Sequence, residues 1–221
     1  MTNPIKTLIN KANAVFGKPK TDFTSSEDYW KQRYAKNGNS GAGSYNKLAE
    51  FKAEILNQFV MDNDIKSVIE YGSGDGNQLK LAQYPSYIGF DVSPIAVEKC
   101  RTIFSNDPSK TFKLVDEFTN ESAELTLSLD VIYHLVEDDT FSKYMDRLFS
   151  SSTKFVIVYA SNTDQQRPGQ SPHVRHRHFT KWITSEKTDW NLMQHIPNKY
   201  PYNGNDDTGT NADFFIFKYQ K

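Results

Sequence analysis

Cysteine is almost missing from this 221-residue chain; Cys100 stands alone, so no internal disulfide can form. Its place in the amphipathic run Ile95-Ala96-Val97-Cys100-Ile103-Phe104 suits a buried apolar role, and the expected compartment is the cytoplasm. No apolar run approaches the roughly 18 residues needed to cross a bilayer, and the N-terminus lacks the apolar core and small-residue cleavage site of a signal peptide. Charge of one sign is also missing. Lys and Arg number 26 against 27 Asp and Glu, which leaves no overall field to draw in nucleic acid or a membrane surface. The length suits one well-buried α/β domain. Ile5, Leu8, Ile9, Ala12, Val15 and Phe16 do recur at helical spacing. Few basic residues flank them, so a helix that docks on a partner or joins copies of this chain fits better than one lying on a membrane.

What is present is the run Val68-Ile69-Glu70-Tyr71-Gly72-Ser73-Gly74-Asp75-Gly76, an apolar strand that enters an acidic and then glycine-rich turn. Glycines at alternate positions let the backbone turn sharply and leave space for a ligand at the carboxyl edge of a sheet. A dinucleotide fingerprint would place its third glycine where Asn77 stands. Pro85 cuts short the helix expected from Asp75 to Gln83, so little helix lies under a pyrophosphate. The next strand, Tyr87 to Val92, carries Asp91, placed for a carboxylate to accept from both ribose hydroxyls. The same residues also permit a plain reading, in which the glycines form a tight turn and Asp91 caps the helix that begins at Ser93-Pro94.

The segments VIEYGSGDG and YIGFDVS together resemble the class I S-adenosylmethionine-dependent methyltransferases, and the resemblance spans Tyr29 to Lys221. It implies an α/β Rossmann-like three-layer sandwich, its seven-stranded sheet mostly parallel with an antiparallel last strand, preceded by N-terminal helices. It implies S-adenosyl-L-methionine as cofactor and S-adenosyl-L-homocysteine as product. Carried over residue by residue, Glu70, Gly72, Ser73, Gly74 and Gly76 would hold the methionine portion. Asp91 and Val92 would hold the ribose side, Asp116 the adenine amino group, and Asp130, Tyr34, Ser40 and Gly41 would border the ligand.

Along the chain, residues 1–44 divide into N-terminal helices and a lid, and residues 45–221 form the methyltransferase-like domain. Gly17-Lys18-Pro19-Lys20 reads as a linker, and Ser25 or Ser26 can cap a helix over Ser26 to Tyr34. Asn37-Gly38-Asn39-Ser40-Gly41-Ala42-Gly43-Ser44 is too glycine-rich for regular structure and reads as a lid with hydroxyl and amide donors. A helix from Tyr45 to Val60 carries an apolar stripe at Leu48, Phe51, Ile55, Leu56 and Phe59. Beyond it, strands at 67–71, 87–92, 111–116, 125–132 and 154–159 alternate with helices at 94–105 and 137–149, the mark of a mostly parallel sheet covered on both faces. The patterns 190–196 and 214–219 have no clear helix between them and read as an antiparallel hairpin.

Ligands in open α/β sheets sit beyond the strand carboxyl ends, so the residues after the fourth strand, Asp130-Val131-Ile132-Tyr133-His134, should border the ligand. Methyl transfer to a hydroxyl gains from a general base near neutral pH, and His134 is the first candidate, with Tyr133 beside it. His134 can equally be a loop residue that only packs. The segment Arg167 to His178 follows the fifth strand and holds three of the five histidines. If extended, it turns His176 and His178 one way and Arg175 and Arg177 the other. His176 is thus a second candidate base, and His173, Arg175, Arg177 and His178 are candidate acceptor contacts, the arginines gripping an anion with their forks. Three histidines could ligate zinc, but none of zinc's usual cysteine or carboxylate companions stands in that segment, so no metal is expected. The segment is also readable as an exposed polar loop.

Absences narrow the acceptor. Where amino-methylating DNA enzymes of this fold carry an Asp/Asn/Ser-Pro-Pro-aromatic segment, the chain reads Asp130-Val131-Ile132-Tyr133, and Cys100 lies in the wrong helix for cytosine-carbon chemistry. DNA bases are not the expected substrate, and the basic patch is too short for RNA. The lid, the stretch YWKQRYAKNGNSGAGSYNKLAEFKAEILNQFV and the loop HVRHRH look similar to small bacterial methyltransferases of surface-glycan synthesis. That likeness implies O-methylation of a sugar, a sugar phosphate or another anionic small molecule, a glycan precursor included. The rivals are a non-catalytic cofactor-binding subunit docked through Ile5–Phe16 and a nicotinamide-binding oxidoreductase.

Overall fold

The structure is a computed structural model that describes residues 23–220. The amphipathic run Ile5–Phe16 and the linker Gly17–Lys20 lie outside the described residues. In chain order the helices are α1 (Ser26–Ala35), α2 (Asn46–Asp62), α3 (Pro94–Ile103), α4 (Asp138–Ser150) and α5 (Phe179–Glu186). The strands are β1 (Val68–Tyr71), β2 (Tyr87–Asp91), β3 (Lys110–Leu114), β4 (Ala123–Leu129), β5 (Ser152–Ala160), β6 (Trp190–Ile196) and β7 (Asp213–Tyr219). They form one sheet in the order β3-β2-β1-β4-β5-β7-β6. The pairings from β3 to β5 are parallel, and β7 runs antiparallel to both β5 and β6. The fold is the expected Rossmann-like one, with the reversed strand and the terminal hairpin in place.

Alternation along the strands builds two cores. Val68, Leu125, Leu127 and Ile157 face α2 and α3 and meet Phe51, Leu56 and Val97. Ile69, Tyr71, Val156 and Val158 face α4 and α5 and meet Met145, Leu148 and Ile183. The central strands are apolar at successive positions because both of their faces are covered. Burial of a leucine such as Leu148, fully enclosed here, contributes about 2 kcal/mol.

Three boundaries differ from the sequence pattern, and each difference shapes the site. The helix expected over Asp75–Gln83 is a single 3-10 turn, Gln78–Leu81, because the chain leaves Gly76 with φ 75° and must turn again before Pro85. β3 ends at Leu114, whose amide donates to Glu117 Oε2 at 2.6 Å and so folds Val115–Glu117 into a 3-10 turn. β4 ends at Leu129 instead of Ile132. Asp130 takes a left-handed conformation with φ 60°, and the chain then coils through Ile132–His134. That bend aims Tyr133 and His134 back over the sheet edge.

Candidate active site

The glycine turn after β1 is held open by its own backbone. Gly72 and Gly74 have φ of 84° and 59°, and a side chain at either would collide, with Val131 at Gly72 and with Ser40 Oγ at Gly74. Asp91, at the end of β2, accepts from the Gly74 amide at 2.9 Å through one carboxylate oxygen and from the Ser93 amide at 2.8 Å through the other. Strand end and turn are thereby locked together. Burial pushes the Asp91 carboxyl up to about 6 against these hydrogen bonds. Glu70 is also buried, at 5% exposure, and burial lifts its carboxyl to about 7 although Tyr87 donates to it at 2.7 Å.

These groups wall a cavity of about 280 Å³ beyond the ends of β1, β2 and β4, close to the range for small-molecule sites. Val92 and Val115 form apolar parts of its wall. Two buried polar atoms at this wall, Ser73 Oγ and Gln78 Oε1, have no hydrogen-bond partner among the described residues. Leaving buried polar atoms unpaired costs about 1–3 kcal/mol each, so the wall is one that a polar ligand would complete.

The lid closes the cavity from above. Tyr34 Oη and Ser40 Oγ share a hydrogen bond of 2.8 Å, Ser40 Oγ accepts from the Asp75 amide at 2.9 Å, and the Ser40 amide donates to Asp75 Oδ2 at 3.2 Å. Tyr45 donates to the same carboxylate oxygen at 2.6 Å. Burial opposes the charge of Asp75, yet hydrogen bonds from Tyr45, Ser40 and the Asn77 amide hold its carboxyl below the ordinary value. α1 is pinned across the site by Ser26, whose amide and hydroxyl donate to Glu137 at 2.9 and 2.6 Å. Ser25 is the residue that caps α1, accepting from the Asp28 amide. The described part of residues 1–44 is thus a wall of the site.

A second cavity, of about 430 Å³, adjoins the first. Trp30, Ser40, Asp130 and His134 line both. The His134 Nδ1 lies 3.1 Å from the His173 carbonyl oxygen; a carbonyl can only accept, so Nδ1 carries the proton and Nε2 keeps its lone pair. Burial pushes the ring down to about 4, which keeps it neutral at physiological pH. Trp30 meets this ring edge-on at 5.0 Å, and His173 stacks on it at 5.4 Å and on Tyr29 at 3.9 Å. Beneath, Lys52 Nζ pairs with Asp130 Oδ2 at 2.6 Å, and Tyr133 donates to the other oxygen at 2.8 Å. Lys52 is 1% exposed. Burial and the Asp130 charge raise the Tyr133 hydroxyl well above its ordinary value, so it is a donor here and no base.

The structure therefore brings together Glu70, Gly72, Ser73, Gly74, Asp91, Val92, Asp130, Tyr34 and Ser40 around the inner cavity, with Gly41, Tyr133, His173 and His176 around the outer one. Others fall elsewhere. Gly76 faces Cys100 and Phe104 and serves the packing of the turn against α3. Asp116 is exposed in the turn after β3, and Val115 takes the place at the wall. Arg175 and Arg177 do face away from His176 and His178, but both are consumed by the start of α4. Arg175 Nη1 donates to the Val136 carbonyl and to Asp138, and Arg177 to the Leu135 and Val136 carbonyls and to Asp138. His178 bonds Thr180 and lines neither cavity. His176 bonds Ser161 at 2.6 Å. The three histidines have separate partners, and among the described residues no group of three or more His, Cys, Asp or Glu is placed to hold a metal.

Solved methyltransferases share this fold. The N-methyltransferase NodS from Bradyrhizobium japonicum WM9, solved with S-adenosyl-L-homocysteine, superposes with a TM-score of 0.69 at 14% identity over 90% of this chain and 100% of that one. The chain shares the methyltransferase fold. Magnesium protoporphyrin IX methyltransferase (ChlM) from Synechocystis PCC 6803, also with S-adenosyl-L-homocysteine, gives 0.61 at 13% identity over 88% and 98%. The methyltransferase domain of bacterial CtHen1-C gives 0.59 at 17% identity over 77% and 97%. The sequence matches no family model and no curated protein.

Sequence reasoning passed over Lys52, Trp30, Asp75 and Tyr45. Lys52 had a signal, since it sits four residues after Leu48 and four before Leu56, on the buried stripe of α2 where a cation is costly without a partner. Trp30 had none, because its role depends on where α1 lands.

Proposed function

We propose that the chain is an S-adenosylmethionine-dependent methyltransferase that methylates a hydroxyl of a sugar, a sugar phosphate or another anionic small molecule. The observation that carries this reading is the shared partition. His134, Trp30, Ser40 and Asp130 wall the inner cavity and the outer chamber at once. The structures solved with S-adenosyl-L-homocysteine in this fold support the choice of cofactor. When bound, the cofactor supplies an electrophilic methyl group on a sulfonium.

The rest falls to the protein's own side chains. Asp91 would exchange its hold on the turn for the ribose hydroxyls, while Ser73, Gln78 and Glu70 would meet the polar amino-acid end. Val92 and Val115 offer apolar surface to the base. Ser40, Tyr34 and Asp75 hold the lid shut and exclude water. On the outer side, the Nε2 lone pair of His134 would accept the proton of the acceptor hydroxyl, with Nδ1–H fixed by the His173 carbonyl. The ring stays neutral, so its lone pair is available, while the burial that keeps it so also lowers its basicity. His176 stands further out as an acceptor contact. Trp30, Tyr29 and His173 give the outer chamber an aromatic wall that suits a sugar ring, and the likeness of the lid and the HVRHRH loop to surface-glycan enzymes supports a glycan precursor. The test is release of S-adenosyl-L-homocysteine from S-adenosylmethionine across a panel of sugars, sugar phosphates and sugar acids. Turnover confined to hydroxyl acceptors is the expected result, and turnover only on amines would redirect the assignment.

A further inference from the structure

The two arginines expected to grip an anion are consumed at the start of α4, yet the outer chamber contains two others. Arg33, on α1, donates through Nε to the Asn39 carbonyl at 2.6 Å, through Nη2 to Asn39 Oδ1 at 3.2 Å and through Nη1 to Tyr29 Oη at 3.3 Å. All three acceptors are neutral. Arg167 follows β5 and lies with its guanidinium carbon 3.6 Å over the Tyr202 ring, and among the described residues its guanidinium makes no hydrogen bond or ion pair. Stacking of this kind leaves the N–H edges of the fork free.

Both arginines line the chamber, as do Tyr29, His173 and Tyr202. Asp130 and Asp206 also line it. Asp130 is balanced by Lys52, so two arginines stand against the one remaining carboxylate of Asp206 and the chamber is cationic. A buried or half-buried guanidinium without an anion is the state that an anionic ligand relieves.

We propose that Arg33 and Arg167 form the acceptor clamp and that the group they hold is a phosphate. This deepens the functional reading and rests on it. One guanidinium fork saturates the two oxygens of a carboxylate, whereas a phosphate has oxygens enough for two forks brought from different segments of the chain. The acceptor class is thus a phosphorylated sugar, its ring within the chamber that Tyr29 and His173 also line and its phosphate toward Arg167. Arg33 also holds Asn39 of the lid, so a phosphate on Arg33 tightens the cover over the cofactor cavity.

The full-length protein saturated with S-adenosyl-L-homocysteine is titrated with glucose 1-phosphate, inorganic pyrophosphate, glucuronate and glucose. Binding of glucose 1-phosphate and pyrophosphate, with glucose and glucuronate weaker, is expected. Arg167→Gln should weaken both phosphate probes at least ten-fold, Arg167→Lys should recover part of the loss, and affinity for S-adenosyl-L-homocysteine should be unchanged in both variants, which also reports that they are folded. Arg33→Gln should give the same loss of phosphate. Phosphate binding that survives both substitutions, or glucuronate binding tighter than glucose 1-phosphate, would overturn the clamp. Wild-type protein that binds S-adenosyl-L-homocysteine but no phosphate probe would overturn the clamp alone. Failure to bind S-adenosyl-L-homocysteine at all would overturn the functional reading and the clamp with it.

Discussion

The inner cavity and the outer chamber are built by different means. The inner one has a floor of strand ends and a backbone turn, where Glu70 and Asp91 stand on two adjacent parallel strands and Gly72 and Gly74 bend after the first, and is closed by side chains of α1, the lid and α4. The outer one is made of side chains from α1, the lid, the bend after β4, the loop after β5 and the segment before β7. The floor of the first is fixed by local chain geometry, whereas its cover and the whole of the second depend on long-range docking. A cradle for a constant ligand can be written in about twenty consecutive residues, whereas a wall that selects among acceptors is assembled from segments as far apart as Tyr29 and Tyr202.

The sharpest break in that comparison is at the partition. His134→Ala should lower kcat by about 10²–10⁴-fold while leaving cofactor affinity intact, as expected for loss of a general base. Because the ring titrates near 4, activity that depends on it should stay level from about pH 5 to 8 and fall only as pH drops through about 4. A matching loss of cofactor binding in His134→Ala would show that the two cavities are one site.

Lys52→Ala leaves Asp130 without its cation and should destabilise the fold by about 3–5 kcal/mol, measured by urea unfolding, because one partner of a buried pair is then uncompensated. An effect under about 1 kcal/mol would show that the pair is solvated in solution.

Glu70→Gln sharpens the picture of the inner cavity. The Glu70 carboxyl is raised from 4.5 to about 7, so its contribution to stability is intact below about 4.5 and is lost as pH rises to about 7. The glutamine variant should match wild type near pH 4.5 and exceed it by up to roughly 3 kcal/mol near pH 8, both without cofactor. A constant difference across that range would contradict the burial of an ionisable carboxylate.

The smallest expected effect is at the lid. Ser40→Ala removes hydrogen bonds to Tyr34 and the Asp75 amide, and should cost about 1 kcal/mol, read as a several-fold higher KM for the cofactor. No change would mean that the lid closes by its backbone alone.

This division also decides what was legible in the sequence. The glycine turn, Asp91, the alternation of strands with helices and the terminal hairpin follow from hydrophobic period and spacing, which are local properties, whereas the reversed last strand was implied by the family resemblance. Asp116 lies off the cavity wall, in the turn where a hydrogen bond from Leu114 to Glu117 follows the end of β3, which the strand pattern does not encode. Arg175 and Arg177 were legible as a pair on one face of an extended segment. Their partner Asp138 lies about 40 residues earlier, so their commitment to the start of α4 could not be read. Arg33 and Arg167 are the converse: each stands in a segment the sequence pattern singles out, yet only the docking of α1 and of the loop after β5 places both on one chamber.

The most direct test of the account is calorimetric titration of the protein with S-adenosyl-L-homocysteine and, separately, with NAD, using wild type and Asp91→Ala. One-to-one binding of S-adenosyl-L-homocysteine, weakened by about 1.5–3 kcal/mol in Asp91→Ala through loss of charged hydrogen bonds, with no heat from NAD, is the expected result. Binding of NAD in preference, or an affinity for S-adenosyl-L-homocysteine that Asp91→Ala leaves untouched, would contradict it.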